Sequence, residues 1–271
     1  MKITLLIINF FILINTLQAN DDWGKTGHRT IGEIAENYLN NCTKRKLNKI
    51  LNYDSLALIS NHSDDIKSDS KFSKYFPWHY VNFQQDKKYG EDPINKKGDL
   101  VQGIKKCIET IRSKESNKKE KAFFIKMLVH FIGDLHQPLH VGNSEDKGGN
   151  NIKLKWFYKD SNLHRVWDSE MIDSFKMSYS ELASNTTKLT KGEICTIKKG
   201  SLLDWVYESK MLANEVYNSA KAEDNLTYKY MYKNFPIARS QLQKGGIRLA
   251  YLIQQTMKKK SKWIDEFLAK I

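Results

Sequence analysis

"KAFFIKMLVHFIGDL", residues 121–135, is apolar on almost every side when it is drawn as a helix. A helix that is hydrophobic all round is buried in a protein core. The sequence therefore predicts a helix through the middle of the molecule, stopped by Pro138. Apolar stripes at helical spacing predict further amphipathic helices at residues 31–39, 202–217 and 238–255. The predicted fold class is all-α.

One stretch departs from the helical pattern. In "GGNNIKLKWFY", residues 148–158, Ile152, Leu154 and Trp156 alternate with polar residues after a glycine pair. Alternation of this kind predicts a short β-hairpin or an extended loop. With 271 residues and neither a repeat nor a linker, the chain is expected to form a mainly helical single domain with this short β-hairpin.

The net charge of the chain is +13, with 44 basic and 31 acidic residues. Such an excess suits a protein that meets polyanions, and it also arises from solubility alone. The basic run "KKKSK" at residues 258–262 is interpreted as a solvated face, with a nucleic-acid patch as the alternative.

The N-terminus has the pattern of a secretory signal peptide. Met1 and Lys2 precede the apolar stretch "ITLLIINFFILINTLQA", which is too short and too interrupted for a membrane span. We expect a signal peptide over residues 1–22, cleaved between 19 and 22, and a mature domain over residues 23–271. The protein is then secreted or periplasmic; the alternative is a buried N-terminal helix.

Three cysteines, Cys42, Cys107 and Cys195, are present in a chain expected to be exported. One disulfide bond and one free thiol are expected, and the sequence leaves all three pairings open. Their wide spacing excludes a compact cysteine-based metal knuckle.

Histidines and aspartates gather around the central helix. His130 and Asp134 are four residues apart, so both project from one helical face. His140 follows the proline, and the pair His164 and Asp168 repeats the spacing. Upstream lie three further candidates, His28, Asp64 and His79.

Imidazole and carboxylate together are typical zinc ligands. A single buried histidine would more often be a core residue, but two His-x-x-x-Asp pairs and three more histidines favour metal. His62 and His136 are assigned no such role, and His136 should support the core or a ligand. Because the candidate ligands include no thiolate, the site is expected to be an open catalytic site. Clustered divalent ions are suited to the hydrolysis of phosphate esters.

Six segments resemble one known family, the zinc-dependent single-strand-specific nucleases of fungi, plants and bacteria. They are "WGKTGHRTIGEIA", "SDDIK", "WHYVNF", "LVHFIGDLHQPLHVG", "DKGGNNIKLKW" and "NLHRVWD". The resemblance extends from Trp23 to about Tyr251. It implies the phospholipase C / single-strand-nuclease-like fold, because these secreted enzymes are distant relatives of bacterial zinc phospholipase C.

The resemblance also implies a trinuclear zinc centre with three Zn²⁺ per chain. Carried over position by position, the first zinc is bound by Asp64, His79, His130 and Asp134. The second is bound by Trp23, through its freed amino group and carbonyl, with His28 and the bridging Asp134. The third is bound by His140, His164 and Asp168.

The activity implied is endonucleolytic hydrolysis of single-stranded DNA and RNA to 5′-phosphorylated products, with 3′-nucleotidase activity. Asp64 would orient the attacking hydroxide and Lys67, where the fungal enzymes have arginine, would neutralise the phosphate. Tyr80 would stack on a base, and Asn82 stands where fungal members have a base-contacting aspartate. Single-stranded nucleic acids and 3′-nucleotides are the expected partners.

Two alternatives remain open: a zinc phospholipase C, and a non-catalytic secreted protein that binds metal or nucleic acid. The nuclease is favoured because Asp168 stands where the phospholipases usually have glutamate. A monomer without a stable protein partner or a membrane contact is expected. Cleavage after Ala19, the best small-residue site, would leave three residues ahead of Trp23 and keep its amino group from metal.

Overall fold

A computed structural model describes residues 24–269 and 271 of the chain. The predicted signal peptide and Trp23 lie outside the described residues. Within them the chain forms these α-helices: α1 (Lys25–Tyr38), α2 (Asn41–Leu51), α3 (Leu56–Ile59), α4 (His62–Asp65), α5 (Leu100–Arg112), α6 (Lys118–His136), α7 (Leu163–Arg165), α8 (Met171–Ser174), α9 (Tyr179–Ser184), α10 (Lys191–Ile197), α11 (Leu202–Tyr217), α12 (Tyr228–Thr256) and α13 (Lys262–Leu268).

Short helices of other types position several polar side chains. They are the 3-10 helices Ile66–Ser68, Ser70–His79 and Pro138–Val141 and the π-helix Val166–Glu170. No helix among the described residues is long and apolar enough to cross a membrane.

Helix α6 is the predicted central helix. A capping box begins it, in which Asn117 accepts hydrogen bonds from backbone N–H groups and the Glu120 side chain accepts one from the N–H of Asn117. From Ile125 to His136 nearly every residue is buried, and α6 contacts α1, α2, α5, α11 and α12. It ends at His136, just before Pro138, as the sequence predicts.

The other predicted helices also form. Residues 31–39 lie largely in α1, residues 202–217 are α11, and residues 238–255 lie in α12. Helix α12 begins ten residues earlier than predicted and continues through Pro236. The mainly helical fold class is confirmed.

The alternating stretch forms a hairpin of β1 (Lys153–Trp156) and β2 (Lys159–Asn162). Its two turn residues, Phe157 and Tyr158, have φ angles of 46° and 67°, as a tight two-residue hairpin turn requires. A third strand, β3 (Asn225–Leu226), was not predicted from the sequence; it pairs in parallel with β1.

The cysteines differ from the expectation. Cys42, Cys107 and Cys195 are all free thiols on three different helices, α2, α5 and α10. Cys107 is enclosed in the core while the other two are exposed, so the expected disulfide bond is not formed. Burial raises the pKa of the Cys107 thiol well above its ordinary value, which makes it unreactive.

Candidate metal centre

Four side chains from three parts of the chain converge beside α6. His130 and Asp134 come from α6, Asp64 lies on α4, and His79 ends the 3-10 helix Ser70–His79. Their inward-facing atoms are His79 Nδ1, His130 Nε2, Asp64 Oδ1 and Asp134 Oδ2, and five pairs of these are 3.1–3.6 Å apart. We call these four side chains the first cluster.

The first cluster has the dimensions of a zinc site. A tetrahedral zinc ion with bonds of about 2.0–2.1 Å holds its ligand atoms about 3.3 Å from one another. His79 Nδ1 and His130 Nε2 point at each other, 3.1 Å apart, as well as at the carboxylates. Asp64 Oδ1 faces His130 Nε2 at 3.3 Å and His79 Nδ1 at 3.6 Å, with Lys67 Nζ at 3.0 Å. The donors therefore fit a shared cation.

A second cluster uses the other oxygen of Asp134. His28 Nε2, from α1, lies 3.3 Å from Asp134 Oδ1, and the His28 ring stacks on His130 with 3.8 Å between centroids. Gly133 makes room for this ring, since a Cβ there would come within 2.5 Å of His28 Nδ1. Asp134 can thus bridge two cations, and the remaining predicted ligand, Trp23, lies outside the described residues.

The third cluster lies at the far side of Pro138. His140 Nε2 is 3.1 Å from Asp168 Oδ1 and His164 Nε2 is 3.4 Å from Asp168 Oδ2. Asp168 stands on the π-helix Val166–Glu170 and is fully buried. Its Oδ2 accepts no hydrogen bond within the described residues, so this cluster too is suited to a cation.

Hydrogen bonds orient four of the imidazole rings from behind. In each ring the nitrogen remote from the cluster has a protein partner: His130 Nδ1 with Ser60 O (2.8 Å), His79 Nε2 with Ser63 Oγ (3.0 Å), His140 Nδ1 with His79 O (2.6 Å) and His164 Nδ1 with Gly148 O (2.7 Å). A nitrogen that donates to a carbonyl leaves the other nitrogen with a lone pair facing the cluster. This is the usual arrangement behind metal-binding histidines.

Burial and the neighbouring charges have opposite effects on the pKa values of the cluster residues. Burial alone would lower the pKa of His130, but Asp134 and Asp64 raise it to about 10. Burial likewise opposes the shift at His140, whose pKa Asp134 and Asp168 raise to about 9. The pKa of Asp134 is well below its ordinary value because His130 and His140 outweigh burial. The buried carboxylates thus require positive charge nearby, which protons or a metal can supply.

Two other histidines of the clusters have lowered pKa values. Burial, with Lys67 adding to it, lowers the pKa of His79 to about 4. Burial also lowers the pKa of His28, helped by His130. These rings are neutral near pH 7, the state that a metal ligand needs.

Of the predicted catalytic and substrate-binding residues, Lys67 lies at the first cluster, and Asn82 lies against the loop that follows His140. Lys67 Nζ is 3.0 Å from Asp64 Oδ1, and burial lowers its pKa to about 8. Tyr80, which follows His79, is exposed. Asn82 is half-buried, and its side-chain oxygen accepts a hydrogen bond from Gly142 N. That oxygen is therefore engaged with the protein backbone.

Sequence reasoning missed several supporting groups. Gln137 is fully buried and donates through Nε2 to Asp168 Oδ1 at 2.7 Å, which fixes that carboxylate. Ser63 supports His79. Lys210, buried on α11, donates to the carbonyl oxygens of Phe83 and Gly142. The one available signal was the place of Gln137 between Asp134 and His140, while contacts to distant backbone carbonyls have no sequence signature.

His136 takes no part in the three clusters. Its Nδ1 donates to Ile132 O at 2.7 Å, and its Nε2 faces the Arg248 guanidinium at 3.2 Å. Burial and Arg248 lower the pKa of His136 well below its ordinary value. His62 lies edge-on to Phe123 outside the clusters.

Comparison with known proteins assigns a family. The model of the S1/P1 nuclease family matches residues 23–258. Endonuclease 2 of Arabidopsis thaliana is 30% identical over 84% of this chain and 88% of its own length. Endonuclease 4 of the same plant is 29% identical, covering 89% and 91%. Nuclease S1 of Aspergillus oryzae is 29% identical, covering 84% and 89%.

A solved structure agrees on the fold. The alpha-toxin of Clostridium perfringens from avian strain SWCP superposes with a TM-score of 0.50 at 17% identity. The match covers 88% of this chain and 64% of the toxin chain, so this chain spans somewhat less than two thirds of it. At this identity the likeness concerns the fold, and it confirms the expected fold class.

Proposed function

The chain belongs to the S1/P1 nuclease family, and on that premise we propose that it is a zinc-dependent endonuclease of single-stranded DNA and RNA. It hydrolyses phosphodiester bonds to 5′-phosphorylated products and also removes phosphate from 3′-nucleotides. Three Zn²⁺ per chain are the proposed cofactors, held by the three clusters with Trp23 completing the second.

One observation carries this proposal: the two oxygens of Asp134 face two different sets of imidazoles. A fully buried carboxylate placed in this way supports a pair of cations sharing one ligand. Paired cations are suited to in-line displacement at phosphorus. A protein that stored a single structural zinc would need a closed set of four ligands and no bridge.

The residues around the centre divide the chemistry. Zinc, when bound, lowers the pKa of water and offsets the charge on phosphate oxygens. Asp134 is fully buried, but the Asp64 side chain is 24% exposed, so Asp64 is the carboxylate that can orient an attacking water. Lys67, beside it, brings a positive charge to the phosphate. Its single ammonium lacks the planar fork of arginine.

Single-strand preference follows from Tyr80. Its side chain is 44% exposed next to the ligand His79. A base can stack on this ring only when it is splayed out of a duplex. Asn82 lies two residues further along the chain, and its side-chain amide nitrogen is proposed to meet the base edge.

Export is part of the proposal, because Trp23 can bind metal through its amino group only after residues 1–22 are removed. N-terminal sequencing of the mature native protein should begin at Trp23. A mature chain beginning at Asn20 would remove that ligand from the second cluster.

The proposal is tested on the mature protein loaded with zinc. Single-stranded DNA, RNA, duplex DNA, a 3′-nucleotide and phosphatidylcholine vesicles are supplied in one buffer, and the product ends are identified by mass spectrometry. Cleavage of the single strands to 5′-phosphorylated products is expected, with much slower duplex cleavage and intact lipid. Lipid turnover without nucleic-acid cleavage would mean a phospholipase, and zinc binding with neither activity would mean a binding protein.

A further inference from the structure

A groove between the 3-10 helix Ser70–His79, the loop before α5, and α5 itself is strongly basic. Its volume is about 760 Å³, and five lysines line it: Lys74, Lys96, Lys97, Lys105 and Lys106. Glu109 is the one acidic residue lining the described part of this groove. We call it the lysine groove; a site of this charge suits a polyanion.

Aromatic rings form the floor of the lysine groove. Tyr75 and Trp78 meet edge to face with 4.9 Å between centroids, and Phe124 meets Tyr75 at 6.4 Å. Lys74 Nζ lies 4.9 Å from the centre of the Tyr75 ring. Lysines interleaved with aromatic rings are the combination that binds single strands, since phosphates pair with the ammonium groups while bases stack on the rings.

The loop that carries Lys96 and Lys97 is fixed to Trp78 in the floor of the groove. Trp78 Nε1 donates a hydrogen bond to Lys97 O at 2.6 Å. Gly98, with φ +88°, follows directly, and a Cβ there would come within 3.0 Å of Trp78 Nε1. The loop that carries Lys96 and Lys97 is therefore held at the N–H edge of the indole, so the groove is formed before any ligand arrives.

The lysine groove adjoins a smaller groove that holds the predicted substrate-binding residues. Trp78 in its floor directly precedes the ligand His79. A smaller groove of about 240 Å³, lined by Tyr80 and Asn82, shares Ile94 and Asn95 with the lysine groove. A strand that stacks on Tyr80 can therefore enter the lysine groove past the shared residues Ile94 and Asn95.

We infer that the lysine groove binds the nucleotides that flank the scissile bond, making it an extended subsite for long single-stranded substrates. This rests on the proposed function. The groove would contribute to the binding of polymers and leave the hydrolysis of the shortest substrates unchanged, since a dinucleotide does not reach beyond Tyr80.

The test replaces Lys96, Lys97 and Lys106 together by serine. All three are exposed, so folding should not depend on them. The matched control replaces Lys221, Lys229 and Lys233 by serine; these exposed lysines lie on or just before α12, and the change lowers the net charge equally. For each protein, kcat and KM are measured with a single-stranded oligonucleotide of about 30 nucleotides and with a dinucleotide, at several salt concentrations.

The groove variant should raise KM for the long oligonucleotide about tenfold and lower the slope of log KM against log salt by about 2, as expected for three lost phosphate contacts to a single strand. Its kcat for the long oligonucleotide and both its kinetic constants for the dinucleotide should match those of the wild type. The control variant should leave kcat and KM unchanged for both substrates. The inference is overturned if the groove variant behaves like the control, or if KM rises equally for both substrates.

A binding measurement separates this inference from the proposed function. Fluorescence anisotropy of a non-hydrolysable phosphorothioate oligonucleotide reports binding to the zinc-loaded protein whether or not it is an active nuclease. Weaker binding by the groove variant alone supports the subsite even if no substrate is cut. Equal binding by all three proteins contradicts it even if every one of them is an active nuclease.

Discussion

His130 and His136 lie six residues apart on α6, and both side chains are fully buried. The ring of His130 faces the carboxylates of Asp64 and Asp134 at 3.3 Å. The ring of His136 faces the Arg248 guanidinium at 3.2 Å. The same residue type at the same depth on the same helix therefore occupies two opposite electrostatic environments.

The difference shows in the pKa values and decides what each site can hold. Despite burial, the carboxylates raise the pKa of His130 to about 10, while burial and Arg248 lower that of His136 well below its ordinary value. Positive charge is required beside His130 and is already supplied beside His136. A metal cation fits the first place and is excluded from the second, so burial of a histidine alone does not indicate a ligand.

The largest difference between the two histidines is expected when each is replaced by glutamine. His130→Gln removes one donor of the first cluster, and we expect a fall in activity of about a thousandfold, near 4 kcal/mol of transition-state stabilisation. The zinc content should fall as well. His136→Gln should keep both its zinc and its activity. Elemental analysis and initial rates of DNA hydrolysis measure the two variants. Equal zinc loss in both would contradict the comparison.

Removing zinc should destabilise the wild type more than it destabilises a variant whose first cluster lacks one donor. Chelation should lower the free energy of unfolding of the wild type by about 4 kcal/mol, as expected when zinc is present at a thousand times its dissociation constant. His130→Gln, already depleted of this zinc, should lose much less. Urea unfolding with and without chelator measures both. An equal loss in the two proteins would mean that the first cluster does not hold the metal that stabilises the fold.

The Arg248 side should show the reverse pattern. Arg248 is buried and donates to Ile197 O, to His136 and through two hydrogen bonds to the Glu208 carboxylate. Arg248→Met should lower the free energy of unfolding by about 3 kcal/mol, because charged hydrogen bonds are lost, and should leave zinc content unchanged.

Arg239→Met is the matched control for this change. Arg239 lies on the same helix, α12, and is only half-buried, so we expect a loss below about 1 kcal/mol. Urea unfolding and elemental analysis measure both variants. Loss of zinc from Arg248→Met would show that the two environments are not independent.

A smaller effect is expected at Ser63, which hydrogen-bonds His79 Nε2 from behind. Ser63→Ala should weaken zinc binding about tenfold by freeing the ring to turn. The control is Ser209→Ala, which removes a buried hydroxyl that donates to Leu135 O on α6 and contacts no predicted ligand. Competition with a chromogenic chelator measures zinc affinity. Equal weakening in both variants would assign the effect of Ser63 to general packing.

The spacing of apolar residues in the sequence was enough to predict the long helices that make up most of the fold. The all-round apolar stretch 121–135 is the buried part of α6, and the alternation at Ile152, Leu154 and Trp156 is a hairpin. The early start of α12 was missed; the helix begins at Tyr228 and continues through Pro236, a residue type that usually ends or kinks a helix. Strand β3 has two residues and no pattern of its own.

The residue types of the candidate site could be predicted from the sequence. The groups that hydrogen-bond and orient those residues could not. The His-x-x-x-Asp spacing placed His130 with Asp134 because one helix joins them. The structure brings Asp64, His79 and His28 to the same place, as the family resemblance implied. The charge that separates His130 from His136 comes from Arg248, over a hundred residues away, and such a contact leaves no mark in the local sequence.

Anomalous X-ray diffraction at the zinc edge, on crystals of the mature protein, would show whether Asp134 bridges two zinc ions and whether His136 binds none. We predict anomalous peaks about 2.0–2.2 Å from His130 Nε2 and from both oxygens of Asp134, and another at the same distance from His140 and His164, with no peak bonded to His136. Peaks absent from Asp134, or a zinc ion bonded to His136, would show that the two histidines do not differ in this way.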